Sequence, residues 1–357
     1  MRATLERASP ARIARRPTRP QLIKASITTV LLLFAFFALP ELLRLYYIDT
    51  MTQVAVYSIV TLALGLLVGR VGLYSLGQAA VLAIGAWAAA RLLFATTQPY
   101  PLVLLEAGLI TMVAGLLIGL PALRLRGLYL ALITLMLAGG ITVVLATVNF
   151  PNGGHGFLGH LETDRGNANI RRPAIANGDT AYLRYVVIVA AVMFLIALIH
   201  VRARPGRAWA AIRQSESAAL AAGVNVTLYK MWAFALASFL TGVAGGLLAA
   251  NSGQLFITTF PTSDSITLLA VVLMGGIYSL WGAVVAALLM QLLPALLNNW
   301  GVAADWLTIV FGIGILQVLL TAPQGLVYQF PRDMAKLGRL IAGLAGRGRP
   351  PTREGAS

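Results

Sequence analysis

Apolar residues along this chain come in runs close to the roughly twenty needed to cross a bilayer, each ended by a charge, a proline or a glycine. The runs lie near 25–45, 51–69, 73–94, 101–121, 127–148, 183–201, 231–250, 265–278, 281–298 and 303–321. At a helical rise of about 1.5 Å per residue such runs match a hydrocarbon core about 30 Å thick. The pattern predicts an all-α polytopic membrane protein with nine or ten membrane segments in one transmembrane domain, 25–330. The first run follows a basic stretch but ends in Pro40-Glu41-Leu42-Leu43-Arg44, with no small-residue cleavage site, so it reads as an uncleaved span and not a signal peptide. Two runs are interrupted by glycine, at Gly69-Arg70-Val71-Gly72 and at Gly275-Gly276, and the 265–278 limb is too short for a full span. Both are expected to be broken or re-entrant elements.

Composition agrees: 59% of residues are hydrophobic and 11% charged, against about 25% charged in soluble domains. A net charge of +15 would suggest nucleic acid in a soluble protein, but here the charge is segregated along the chain. With the N-terminus inside, 21 of the 27 basic residues fall on the cytoplasmic side, in the tail 1–24, at Arg70, Arg124 and Arg126, in the loop 202–230 and in the tail 331–357. The positive-inside rule therefore predicts an N-in, C-in chain with 149–182 as its outer loop. That parity requires 265–298 to go in and come back.

Candidate chemistry is sparse. Cysteine is absent, which removes thiolate catalysis and Cys-ligated metals. The three lysines, Lys24, Lys230 and Lys336, sit in no phosphate-binding loop, so any ATP-driven step belongs to another chain and no cofactor is expected. Ionisable groups deep in the spans, which an ion-coupled carrier needs, are few: Glu106 lies about a turn inside its run and Asp264 reads as a helix cap. His155, His160, Glu162 and Asp164 match no metal-ligand spacing. The two interruptions share a short sequence, Gly72-Leu73-Tyr74-Ser75-Leu76 and Gly276-Ile277-Tyr278-Ser279-Leu280. They read either as paired unwound segments facing a solute or as two unrelated small-residue helix contacts. On the first reading Tyr74, Ser75, Gln78, Tyr278 and Ser279 line the path. In the loop 202–230, Trp209, Ile212, Glu216, Ala219, Leu220 and Gly223 recur at helical spacing and predict one short amphipathic helix. It either docks a partner or lies on the membrane, held by Arg207 and Arg213.

Several of these motifs together resemble those of LivM-type permeases, the membrane subunits of ABC importers for branched-chain amino acids. They are Arg204-Pro-Gly-Arg-Ala-Trp-Ala-Ala-Ile-Arg213 with Ser217 to Gly223, Ser75-Leu-Gly77-Gln78, Leu123-Arg-Leu-Arg-Gly127-Leu-Tyr129, Gly153-Gly154, Gly275-Gly276 with Gly282, and Pro323-Gln324-Gly325-Leu326. The resemblance covers roughly 55–330. It implies a bacterial inner-membrane protein that works with ABC ATPase subunits, a second, LivH-like permease and an external solute-binding protein. It also implies that Arg207, Arg213, Glu216, Ser217, Ala219 and Gly223 belong to an ATPase-coupling helix, Glu216 standing one place before the glutamate of the wider importer pattern. Related permeases serve urea and short amides as well as leucine, isoleucine and valine, so the resemblance leaves the cargo open among these.

Overall fold

The computed structural model describes residues 45–122, 127–147, 172–253 and 255–301 continuously, with single positions between and beyond them. Among the described residues there are helices and no strands. In chain order they are α1 (Leu45–Gly65), α2 (Gln78–Ala95), α3 (Tyr100–Ala122), α4 (Leu128–Thr147), α5 (Asp179–Arg202), α6 (Arg204–Gln214), α7 (Glu216–Ala221), α8 (Val226–Ser252), α9 (Asp264–Gly275), α10 (Leu280–Ala287) and α11 (Leu293–Asn299). Among the described residues six stretches are long and apolar enough to cross a membrane, and α2 and α9 are shorter apolar helices. The predicted runs 25–45 and 303–321 lie largely outside the described residues, as do both tails and most of 149–182.

α8 is the axis of the bundle. Of its apolar window 94% is buried, against 39% for the span in α3 and 28% for that in α4. Its glycines explain how neighbours come so close. A Cβ at Gly85 of α2 would lie 2.5 Å from Gly242 Cα, and one at Gly242 would lie 2.5 Å from the Thr111 side chain of α3. Between helices in lipid such close packing replaces the hydrophobic driving force that acts in water. α1 packs against α5, α8 and α10 on another side.

Two helices contain wide turns. Leu66–Val71 continues α1, and Leu288–Leu292 joins α10 to α11. Pro294 accounts for the second, because it lacks an N–H and its ring crowds the carbonyl four residues back. The predicted run 73–94 is corrected at its start. Gly72 adopts the left-handed conformation (φ 83°) and residues 72–77 are not helical. The freed backbone finds partners nonetheless: Leu73 N–H donates to Leu67 O (2.9 Å) and Leu76 N–H to Thr134 Oγ1 (2.9 Å), as buried unwound chain requires.

Pairings fix the ends of the bundle. Asp49 Oδ1 accepts from Asn251 Nδ2 (2.8 Å) and Tyr47 Oη from Asn299 Nδ2 (3.2 Å), bringing the start of α1 to the ends of α8 and α11. The other end of the bundle carries the loop formed by α6 and α7.

Candidate functional site

Three segments remote in sequence meet at that loop end. Gly69 has no room for a side chain, since a Cβ there would run into the Ile277 carbonyl. Arg70 Nη2 donates to Tyr278 O (3.0 Å), and Arg213 from the last turn of α6 donates through Nη1 to Gly69 O (2.7 Å) and through Nη2 to Tyr278 Oη (2.6 Å). Its guanidinium carbon stands 4.4 Å from the centre of the Tyr278 ring. Gly325 packs on Gly276 from the far end of the chain, closely enough that a Cβ on it would collide with the Gly276 backbone. The two glycine-marked stretches are thus neighbours in space. Beside them a crevice is lined by Thr61, Gly65, Arg70, Gly276, Ser279 and Ala283.

A second polar cluster lies further along the bundle. Gln78, 2% exposed, opens α2 and accepts through Oε1 from Thr241 Oγ1 (3.0 Å). Thr241 is about 22 Å from the start of α8 by helical rise, well inside the bundle. Ser265 Oγ, in the first turn of α9, accepts from Ala79 N–H (3.1 Å), so two helix N-termini meet at this level. Ser75 is buried and its Oγ accepts from Gly77 N–H (3.4 Å). Tyr74 is 41% exposed. The five sequence-predicted path residues therefore do not form one cluster: Gln78 bonds to Thr241 of α8, Tyr74 and Ser75 lie in the non-helical stretch 72–77, and Tyr278 and Ser279 are at the loop end. Ser279 Oγ caps α10 by accepting from Trp281 N–H (3.2 Å). Asp264 is corrected: Ser263 holds the N-cap position and Asp264 is the first residue of α9.

The loop itself is two helices, not the predicted one. Ser215 is extended (φ −163°), ends α6, and caps α7 by accepting from Ala218 N–H (3.3 Å). Trp209, Ile212 and Ala219 are buried, and Trp209 Nε1 donates to Tyr229 O (2.9 Å). Lys230, whose side chain is 3% exposed, pairs with Glu216 at 2.5 Å. Gly223 (φ 79°) stops α7 with the paired bonds Val224 N–H to Ala219 O and Gly223 N–H to Leu220 O, the Schellman arrangement that favours glycine. Of the six predicted coupling residues, Ala219 is buried, Glu216 is half-buried against Lys230, and Arg213 is exposed but bonds to Gly69 and Tyr278. Arg207, Ser217 and Gly223 are exposed, with Leu220 (59%) and Ala210 among them. Arg70, Lys230, Thr241, Ser265 and Thr134 entered through the fold: each meets a partner at least 14 residues away. His155, His160, Glu162 and Asp164 lie outside the described residues.

Comparison with known proteins adds the family dimension. A family model described as the permease component of branched-chain amino acid transport systems matches residues 46–319. The high-affinity branched-chain amino acid transport system permease protein LivM of Salmonella typhimurium is 28% identical over 323 residues, covering 85% of this chain and 75% of its own. LivM of Escherichia coli gives the same identity and coverage. The fructose import permease protein FruG of Bifidobacterium longum is 27% identical over 267 residues, 72% of this chain and 76% of its own. No solved structure matches the chain.

Proposed function

Because this chain belongs to the family of branched-chain amino acid transport system permease components, we propose that it is the membrane-spanning subunit of an ATP-driven importer that passes branched-chain amino acids inward from an external binding protein. The observation that carries the reading is the family match, which includes the glycine-marked stretches and the loop 202–230 alike. The chain is a multi-pass membrane protein and a transport component. ATP hydrolysis is assigned to separate ATPase subunits docked on the exposed face of α6 and α7, where Ala210, Ser217 and Leu220 stand clear of the bundle. A second, LivH-like permease completes the pair, in the bacterial inner membrane.

On this reading both termini, with the basic tails 1–24 and 331–357, are cytoplasmic. The domain 25–330 carries the path, and 149–182 faces outward. The path runs past Tyr74, Ser75 and Gln78, at the non-helical stretch 72–77, towards Tyr278 and Ser279, at the non-helical stretch 276–279. The support is physical: unwound backbone and helix N-termini offer a solute polar groups in a chain with few buried charges.

Cargo is the finer question. The likeness to two LivM proteins favours leucine, isoleucine and valine, while the FruG likeness puts sugars beside urea and short amides as the alternative. Uptake of labelled leucine, urea and fructose by cells expressing the complete importer separates them. Leucine uptake that unlabelled isoleucine and valine compete away is expected, and saturable urea or fructose uptake with none of leucine would overturn the assignment. Gln78→Ala and Ser75→Ala are expected to lower uptake at least about tenfold, the weight of one buried polar contact.

A further inference from the structure

We propose that Arg213 is a positioning residue through which the α6–α7 loop holds both chain interruptions together, so that a movement of the loop resets them as one unit. The proposal rests on the importer reading only for what moves the loop. Its geometric part stands alone.

The guanidinium makes one hydrogen bond to each interruption, 2.7 Å to Gly69 O on the first and 2.6 Å to Tyr278 Oη on the second. Gly69 lies in the wide turn 66–71 and Tyr278 in the stretch between α9 and α10, so both partners belong to chain without a regular helical ladder. Charge-assisted bonds to such groups are about twice as strong as neutral ones. The interruptions also hold one another, through the contact of Gly69 with Ile277 and the bond from Arg70 to Tyr278 O. Displacing either therefore displaces both.

The loop is built to act as a body. Buried Trp209 and Ile212 seat α6, Trp209 is bonded to Tyr229 O, and the Glu216–Lys230 pair ties the start of α7 to α8. Arg213 is on the same helix as Trp209 and Ile212 yet reaches across to Gly69 and Tyr278. The residue type is specific, because a guanidinium presents a planar fork of donors for two acceptors at once, whereas the single nitrogen of lysine satisfies one of these well-separated positions. A charge merely attracting lipid or a partner's acidic residue would work equally well as lysine.

Hydrogen exchange on the purified chain in nanodiscs, with no partner present, tests the geometry. Arg213→Gln is expected to speed exchange at least about tenfold in both 67–77 and 277–282, the loss of a charge-assisted bond at each, while α3 and α8 stay protected. Arg213→Lys, which keeps one of the two bonds, and Tyr278→Phe, which leaves the bond to Gly69, should each speed exchange in both segments but by less than Arg213→Gln does. Faster exchange confined to 204–225, or none, overturns the proposal. In the reconstituted importer Arg213→Gln should keep its ATPase subunits and their ATP turnover while leucine taken up per ATP falls about tenfold by the same bond loss. Loss of the ATPase from the complex would make Arg213 a docking contact and overturn the proposal. If the wild-type importer moves no leucine, the cargo or importer reading fails, and the exchange experiment still decides the role of Arg213.

Discussion

Gly69 occupies a place where a methyl group meets the Ile277 carbonyl, whereas Gly139 in α4 has nothing within 4 Å of its missing Cβ. Alanine should therefore act oppositely at the two sites. Gly69→Ala must push the interruptions apart, an overpacking cost of about 1–3 kcal/mol; Gly139→Ala should stay within about 1 kcal/mol of wild type and lean towards stabilisation. Thermal unfolding in detergent measures both, and equal effects would contradict the packing described. The Lys230–Glu216 pair gives a second comparison. Lys230→Met leaves Glu216 facing a buried, apolar stem, at a cost of about 1–3 kcal/mol, below the full penalty of a buried charge because Glu216 keeps 24% of its side-chain exposure. Adding Glu216→Leu should recover most of that loss. A double variant as unstable as the sum of the two singles would mean that the two side chains do not interact.

At the scale of elements, the ends of α6 and α7 are local devices. Ser215→Ala removes the cap of α7 and should cost about 1 kcal/mol. Gly223→Ala forces a Cβ into the left-handed region, about 1–2 kcal/mol, though the space around it is open. Gly223→Asn should be milder, since asparagine visits that region more readily. Unfolding midpoints in the order wild type, Asn, Ala are expected at position 223, and a docking role alone would not produce that order. These devices also show what the sequence could disclose. Eight apolar runs marked nine of the described helices, α10 and α11 sharing one run, with ends off by up to six residues, because a span must be long and apolar. Glycine pairs marked the stretches at 69–72 and 275–276 because close approach and positive φ select that residue. The period that merged α6 and α7 into one helix ran through Ser215, whose extended backbone keeps the buried face in rough phase across the break. The partners of Gln78 and Ala79, Thr241 and Ser265, lie 163 and 186 residues away. Pairings of that range leave no local pattern, so this cluster was illegible.

From Leu45 onward the described helices form a bundle around α8 whose outer members keep much apolar surface uncovered, with 22% of the Leu280–Asn299 window buried. Such surface suits contact with lipid. Arg213, which the resemblance places in the coupling helix, also bonds to Gly69 and Tyr278. The loop thus has an exposed face, at Ala210, Ser217 and Leu220, and an inner contact with the interruptions, and on the importer reading proposed above these are the two contacts that coupling to an ATPase would use. The most direct measurement is leucine uptake into proteoliposomes holding this chain, its second permease, the binding protein and ATP, with an intact ATPase or with one whose phosphate-loop lysine is replaced. Uptake with the intact ATPase and none with the crippled one is the expected result; equal uptake in both, or uptake by this chain alone under an ion gradient, would contradict it.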